Sequence, residues 1–355
     1  MVVLVVGTAS LLNWSVSRWP ELAERAEHAA KQGDFETSYR LWSEYNAGPR
    51  ARHESWFAQA KAALAMGRAA DGLRALEKAA ERNPSNPEPW LLQLEIFRVE
   101  DRPVDALGVG WKGYDAVPRP ARRGILRALT LALLTETPDE LARTTLQRWV
   151  AADSTDLEAR VALLRRMAAS PRDGDLPRSA RIETLEELLS RHPESISTRQ
   201  ALIEELADSG ASRRAQEVLD DWPSRARDAR FDQEAGRLSL DFDRHPERAA
   251  EVLKRALETL PQDWKIHYRL ARALAALGEK TEARGEADRV GALREILDPD
   301  RLAKRLDAAL SDLEKPQARA DLADLCRSVG FDRLADAWEK DAGHASNAVF
   351  DIQAP

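Results

Sequence analysis

The residues that could do chemistry are few and scattered. The six histidines, His28, His53, His192, His245, His267 and His344, contain no His-Glu-x-x-His pair and no spacing suited to a metal ion. His192 and His245 each stand in Arg-His-Pro-Glu, a pattern that reads as a junction between elements with proline as the breaker, rather than as a duplicated ligand. Cys326 is the single cysteine, which excludes an internal disulfide and a zinc site built from several thiolates. It falls where an apolar helix residue is expected and reads as a small buried hydrophobe. Asp173-Gly174-Asp175 lacks the further ligands and the terminal Glu of a calcium loop. GTASLLN, over residues 7–13, lacks the Lys-Ser/Thr ending of a phosphate-binding loop. Carboxylates are plentiful, but most sit beside Lys or Arg, as in EKAAER over 77–82, and read as solvated helix surface. The sequence therefore predicts no catalytic constellation, no metal and no cofactor.

The elements that would have to position any site come next. Lys plus Arg number 53 and Asp plus Glu 60, a net charge of −7, which argues against a surface built to grip nucleic acid. With 43% hydrophobic and 32% charged residues the chain can bury a core and stay in solution. From Pro20 onward Ala, Leu, Arg and Glu dominate, all good helix formers, and no alternating strand pattern of useful length occurs. Stretches of a dozen or so residues are broken by Gly, Asn or Pro, so the chain reads as all-α. The first stretch is different. Met1 to Ser17 carries no charge, Trp14 and Trp19 follow its most apolar part, and Arg18 ends it. Residues 1–19 are expected to form either a single membrane-spanning anchor or an apolar leader covering the first helices.

A fixed period decides the architecture. Trp56 recurs as Trp90, Gly72 as Ala106 and Pro84 as Pro118, each 34 residues on. The turn-to-proline spacing recurs too: Gly67 to Pro84, Pro193 to Gly210 and Pro261 to Gly278 are each 17 apart. Small residues at Ala60 and Gly72 let two antiparallel helices approach closely, and Trp56 and Leu76 fill the space around that contact. Gly67 ends the first helix and Pro84 stops the second. One such pair cannot bury its apolar face alone, so the units must stack.

The motif W-x3-A-x6-G-x4-G-x3-L-x2-A-x4-P, from Trp56 through Ala79 to Pro84, resembles the tetratricopeptide repeat family. A second strong copy, Y-R-L-A-x5-L-G-x4-A, runs from Tyr268 through Ala271 and Gly278 to Ala283. Weaker copies lie around Gly33, Gly210, Ala249 to Pro261 and Gly330. The resemblance implies a right-handed superhelical solenoid of stacked antiparallel helix pairs, about nine of them, in an elongated curved rod. Repeats are expected over 20–169 and 178–342, separated by an inserted loop at 170–177 and followed by a flexible tail at 343–355. The register is poor between about 121 and 194, where Pro138 begins a helix in place of the expected Gly turn.

The resemblance also implies protein–protein recognition without enzymatic activity. Family members hold peptides or helices along the inner wall, formed by the first helix of each unit. Carried onto this sequence, the inner-facing places are Phe57 and Lys61, Leu91 and Glu95, Gln200 and Glu204, Tyr268 and Arg272, and Asp324. They mix aromatic, aliphatic and both charges. The asparagine of the family's carboxylate clamp is missing in both strong units, which disfavours chaperone tails as ligands. The expected function is a scaffold binding a protein or peptide segment, anchored in a bacterial envelope through residues 1–19. The alternatives are a soluble cytoplasmic adaptor or regulatory subunit, and a helical support for an enzyme activity.

Overall fold

The computed structural model describes residues 19–350, with side chains to 343. The expected anchor over 1–19 therefore lies outside the described residues except for Trp19. Among the described residues no helix is long and apolar enough to cross a membrane. Every regular element described is helical.

The chain begins with α1 (residues 19–31), α2 (Phe35–Asn46), α3 (His53–Ala65), α4 (Ala69–Arg82), α5 (Pro87–Val99) and α6 (Pro103–Ala116). The middle holds α7 (Arg119–Leu134), α8 (Asp139–Ala152), α9 (Leu157–Ala169) and α10 (Arg178–Arg191). Then follow α11 (Ile196–Asp208), α12 (Ser212–Asp220), α13 (Ala229–Asp241), α14 (Pro246–Thr259), α15 (Trp264–Ala276), α16 (Lys280–Ile296), α17 (Pro299–Leu310), α18 (Pro316–Ser328) and α19 (Asp332–Phe350). No helix forms over 170–177, between α9 and α10. The backbone of α19 continues past residue 342 to Phe350, because DAGHASNAVF holds no proline to stop it.

Local chemistry explains the boundaries. Side chains of Asp34, Asn86, Asp156, Ser195, Asp228, Asp263 and Asp298 each accept from a backbone N–H in the first turn of the following helix. Six of these seven open the odd-numbered helices α5, α9, α11, α13, α15 and α17. The turns inside the units are marked by left-handed backbone. Gly33, Gly67, Gly210 and Gly278 have φ between 79° and 82°, and Asp101 and Arg244 adopt φ 54° and 55° without being glycine. Residues 33, 67 and 101, and again 210, 244 and 278, are 34 apart. The period seen in side-chain types is thus a period in backbone conformation.

The period breaks after Asp101 and again after Gly278, beyond which the next left-handed residue is Gly330, and the first break shapes the molecule. One repeat beyond Asp101 stands Thr135, in extended backbone with φ −122°, followed by Pro138. Without a left-handed turn, α7 and α8 splay apart instead of closing as a hairpin. Helix α7 stays on α5 and α6, while α8 turns to α9. Leu146 and Trp149 of α8 join the core made by Ala60, Leu76, Ile96 and Ala159. Helix α17 packs on α18, whose main partner is α19, so among the described residues the simple succession of helix pairs breaks there as well.

The second departure is larger: the rod closes on itself. Leu126, Leu129 and Leu133 of α7 share one buried cluster with Leu322, Cys326, Leu334 and Trp338 of α18 and α19. Trp338 is 0% exposed, and its indole N–H donates to Thr130 Oγ1 at 3.0 Å across 208 residues of sequence. Asp341 accepts from Arg123 at 2.9 Å and pairs with Arg319 at 3.1 Å, tying α7, α18 and α19 together. Also on α19, Arg333 lays its guanidinium 3.9 Å over the Trp111 ring of α6.

Two expected outcomes follow from this packing. Trp338→Ala should cost about 3–5 kcal/mol in urea denaturation, the usual range for deleting a large buried aromatic, and a loss below about 1 kcal/mol would contradict the closure. Arg244→Gly should raise stability by about 0.5–1 kcal/mol, since an exposed left-handed arginine strains a turn that glycine occupies freely.

Candidate functional site

Two cavities collect the residues that could bind something. The first is a trough of about 590 Å³ on the N-terminal units, walled by α1, α3 and the start of α5. Its floor carries Phe35, Trp42, Phe57, Ala58 and Ala62, and its rim carries Glu27, Lys31, Glu54, Lys61 and Glu88. Phe35 is 36% exposed, and Lys61 Nζ sits 4.9 Å from the centre of the Phe57 ring. Small residues on α3, at Ala58 and Ala62, keep the floor low enough to leave room beside the aromatic rings.

The second cavity, of about 410 Å³, lies between α9, α11, α13, α15 and the C-terminal end of α5. Its wall is charged. Glu204 accepts from Arg165 at 3.2 and 3.3 Å, and Gln200 donates to it at 3.2 Å. Arg165 also reaches the Asp101 carbonyl at 3.4 Å, linking α9 to the α5–α6 turn. That turn is held further by Arg102, which pairs with Glu100 at 2.9 Å and Asp105 at 2.8 Å, while Arg230 of α13 meets Asp105 at 3.0 Å. Burial pushes the Glu100 carboxyl up to about 8, against the pull of Arg102. Burial and the nearby Glu204 push Glu234 up to about 7, while Arg269, Arg237 and Arg165 pull the other way. Glu234 is 1% exposed, and its Oε2 has no hydrogen-bond partner; neither has Arg269 Nη1.

The nine inner-wall residues named from sequence fall in different surroundings. Phe57 and Lys61 meet in the trough, and Glu204 lines the second cavity with Gln200 buried behind it. Leu91 is partly buried against α7 of the next unit, which takes up its face. Glu95 pairs outward with Arg98. Tyr268 is 52% exposed, with Arg272 above its ring and paired to Asp241 at 2.8 Å. Asp324 is exposed. No single continuous wall joins them. The residues that sequence reasoning missed are Phe35 and Trp42 in the trough, and Glu100, Arg165, Glu234 and Arg269 around the second cavity. Nothing in their spacing marks them, because five separate helices contribute to the second wall.

The structural positions behave as their chemistry requires. Ala60, Leu76 and Ala79 are fully buried, with Ala106, Ala271 and Ala283 nearly so. A Cβ on Gly72 would stand 2.6 Å from Leu64. The Trp90 indole donates to the Pro84 carbonyl at 2.9 Å, and Pro118 caps α7. Cys326 is buried beside Thr130, its thiol pushed up to about 12 by burial, as a core residue would be. Both ring nitrogens of His267 are engaged, by Glu286 at 2.6 Å and the Pro261 carbonyl at 3.0 Å. Among the described residues no group of three or more His, Cys, Asp or Glu is placed to hold a metal ion.

Comparison with known proteins bears on the repeats. Residues 57–118 and 243–294 each match a tetratricopeptide repeat family profile. No curated protein matches the chain. Solved structures that align include a tetratricopeptide repeat protein from Parabacteroides merdae, 14% identical, covering 72% of this chain and 98% of that one with a TM-score of 0.34. The human IFIT1 dimer with PPP-AAAA is 12% identical, covering 92% and 94% with a TM-score of 0.38. Yeast Tom70 is 10% identical, covering 93% and 77% with a TM-score of 0.30.

The raised carboxyl of Glu234 has a measurable consequence. In the unfolded chain this group loses its proton near 4.5, but the folded protein keeps it to about 7. Between those values the native state binds the extra proton, so raising the pH favours unfolding. Glu234→Gln should therefore be more stable than the parent at pH 8, by up to a few kcal/mol, with the gap shrinking toward pH 5. Equal urea midpoints at both pH values would contradict the shift.

Proposed function

The chain is a tetratricopeptide-repeat protein, and we propose that it works as a non-enzymatic scaffold that holds an extended protein segment in the trough of its N-terminal units. The observation that carries this reading is the trough itself, where Phe35 and Phe57 face open space over the buried Trp42, beneath a rim of both charges. Buried aromatic contacts supply most of the energy in such interfaces, while a mixed polar rim sets register. Glu27, Glu54 and Glu88 against Lys31 and Lys61 suit a segment with apolar anchors flanked by both charges rather than a uniformly acidic or basic one. The packing beyond the trough supports the same assignment. Leu91, farther along α5, packs beside the α7 cluster, so the open face is the one lined by α1, α2, α3 and the start of α5.

The reading is independent of residues 1–18. It is tested by immobilising the full chain beside a Phe57→Ala, Lys61→Ala double variant, identifying captured proteins by mass spectrometry, and measuring affinities by calorimetry. A partner seated in the trough should bind the variant at least about tenfold more weakly, a difference of about 1.4 kcal/mol. Helical dichroism and melting temperature should change little, since Phe57 is only partly buried and Lys61 is exposed. A captured partner that binds parent and variant equally would overturn the assignment.

A further inference from the structure

The second cavity has features that the scaffold reading does not use. Its wall brings a carboxyl group with an unpartnered oxygen, Glu234 Oε2, into the same space as a guanidinium with an unpartnered nitrogen, Arg269 Nη1. Several neighbouring charges are matched: Arg165 with Glu204, Arg237 with Asp208, and Arg181 with Glu205. An unmatched buried acceptor and an unmatched donor, each on a separate helix, are costly unless something bridges them. Lys265, one helical turn before Arg269 on α15, adds a second cation on the same wall. Among the polar groups, which include Glu136, Arg166 and Gln233, the short side chains of Val99, Ala162, Ala168, Ala169 and Ala201 leave a small apolar stretch open.

We propose that this cavity binds a free aliphatic α-amino acid as its zwitterion. The ammonium group donates to Glu234 Oε2, with Glu204 adding negative charge beside it. The carboxylate accepts from Arg269 Nη1 and lies toward Lys265. The side chain rests on the alanine-lined wall. A volume of about 410 Å³ suits a molecule of this size. The end of α5 stands on one side of the space, where Arg165 reaches the Asp101 carbonyl, so the site favours a short ligand over a continuing chain. A ligand with only one charge would meet one of the two unpartnered groups and leave the other buried and unpaired. This inference goes beyond the scaffold reading and stands or falls apart from it, since the trough shares no residue with this cavity.

The test uses the full chain and calorimetric titration with three probes of matched side chain: L-leucine, isoamylamine and N-acetyl-L-leucine. L-Leucine should bind saturably, and each single-charge analogue should bind at least about tenfold more weakly. Glu234→Gln and Arg269→Gln should each weaken L-leucine at least about tenfold, with ligand-free melting temperatures that show both variants folded. Arg269→Gln, at a half-buried position, decides the matter if the Glu234 variant fails to fold. Analogues that bind as well as L-leucine, or variants that bind it unchanged, would overturn the proposal. So would a flat titration with L-leucine, L-glutamine and glycine up to about 10 mM, which is weaker than the affinity two charge-assisted contacts give.

Discussion

The burial of Trp338 against Thr130 is the contact on which the rest of the architecture turns. A solenoid of stacked hairpins is held by neighbours alone, and nothing in its repeating contacts fixes where the two halves lie relative to each other. Here the indole of α19 enters the α7 surface, and the Arg123–Asp341–Arg319 cluster locks the same seam electrostatically. Arg319 is fully buried, so its pairing with Asp341 is shielded from salt in a way that surface pairs such as Lys78–Glu81 are not. Because the seam joins residues 208 apart, it converts a chain of local contacts into a closed body, with the Arg230–Asp105 pair adding a second long-range tie.

That closure depends on a broken repeat. Left-handed turns at 33, 67 and 101 fold three successive hairpins, and those at 210, 244 and 278 fold three more. Between the two runs, Thr135 and Pro138 give an extended link, and α7 and α8 separate. Proline at 138 cannot follow a helical residue comfortably, and Thr135 tolerates the left-handed region poorly because of its branched Cβ. The irregular unit is therefore built by its own residue types. Its freed helix, α7, offers Leu126, Leu129 and Leu133 to α18 and α19 instead of to a hairpin partner.

The repeats were legible in the sequence because every unit solves the same local problem with the same small and turn-forming residues. Ala60, Gly72 and Gly278 state that problem plainly. Closure was not legible, since the residues that make it occur once, and those on α7 lie where the register is poor. The clearest clue is α7, whose ILRALTLALL is apolar on more sides than a hairpin helix needs. The two Arg-His-Pro-Glu motifs show the limit of local reading. His192 ends α10, whereas His245 precedes the first turn of α14, so one tetrapeptide serves as a stop in one place and as a start in the other. The neighbouring turn decides which, as Arg244 adopts the left-handed conformation just before His245.

The charged cavity escaped the sequence for a different reason. Carboxylates beside arginines read as solvated surface, and for most of this chain that is what they are. Glu100 and Glu234 differ because α5, α9, α11, α13 and α15 converge on them from separate repeats, and burial then outweighs the pull of the surrounding guanidinium groups. A carboxyl held near neutrality inside a protein costs stability at neutral pH, and a fold stabilised by many alanine and leucine contacts gains nothing structural from it. The α5–α6 turn shows how the chain handles such groups when they are purely architectural: Arg102 satisfies both Glu100 and Asp105, and Arg230 closes the set from α13. Glu234 has no such dedicated partner on its free oxygen. The contrast between a fully paired carboxylate network and an adjacent unpaired one, on the wall of a space large enough for a small molecule, separates a structural ion cluster from a binding surface.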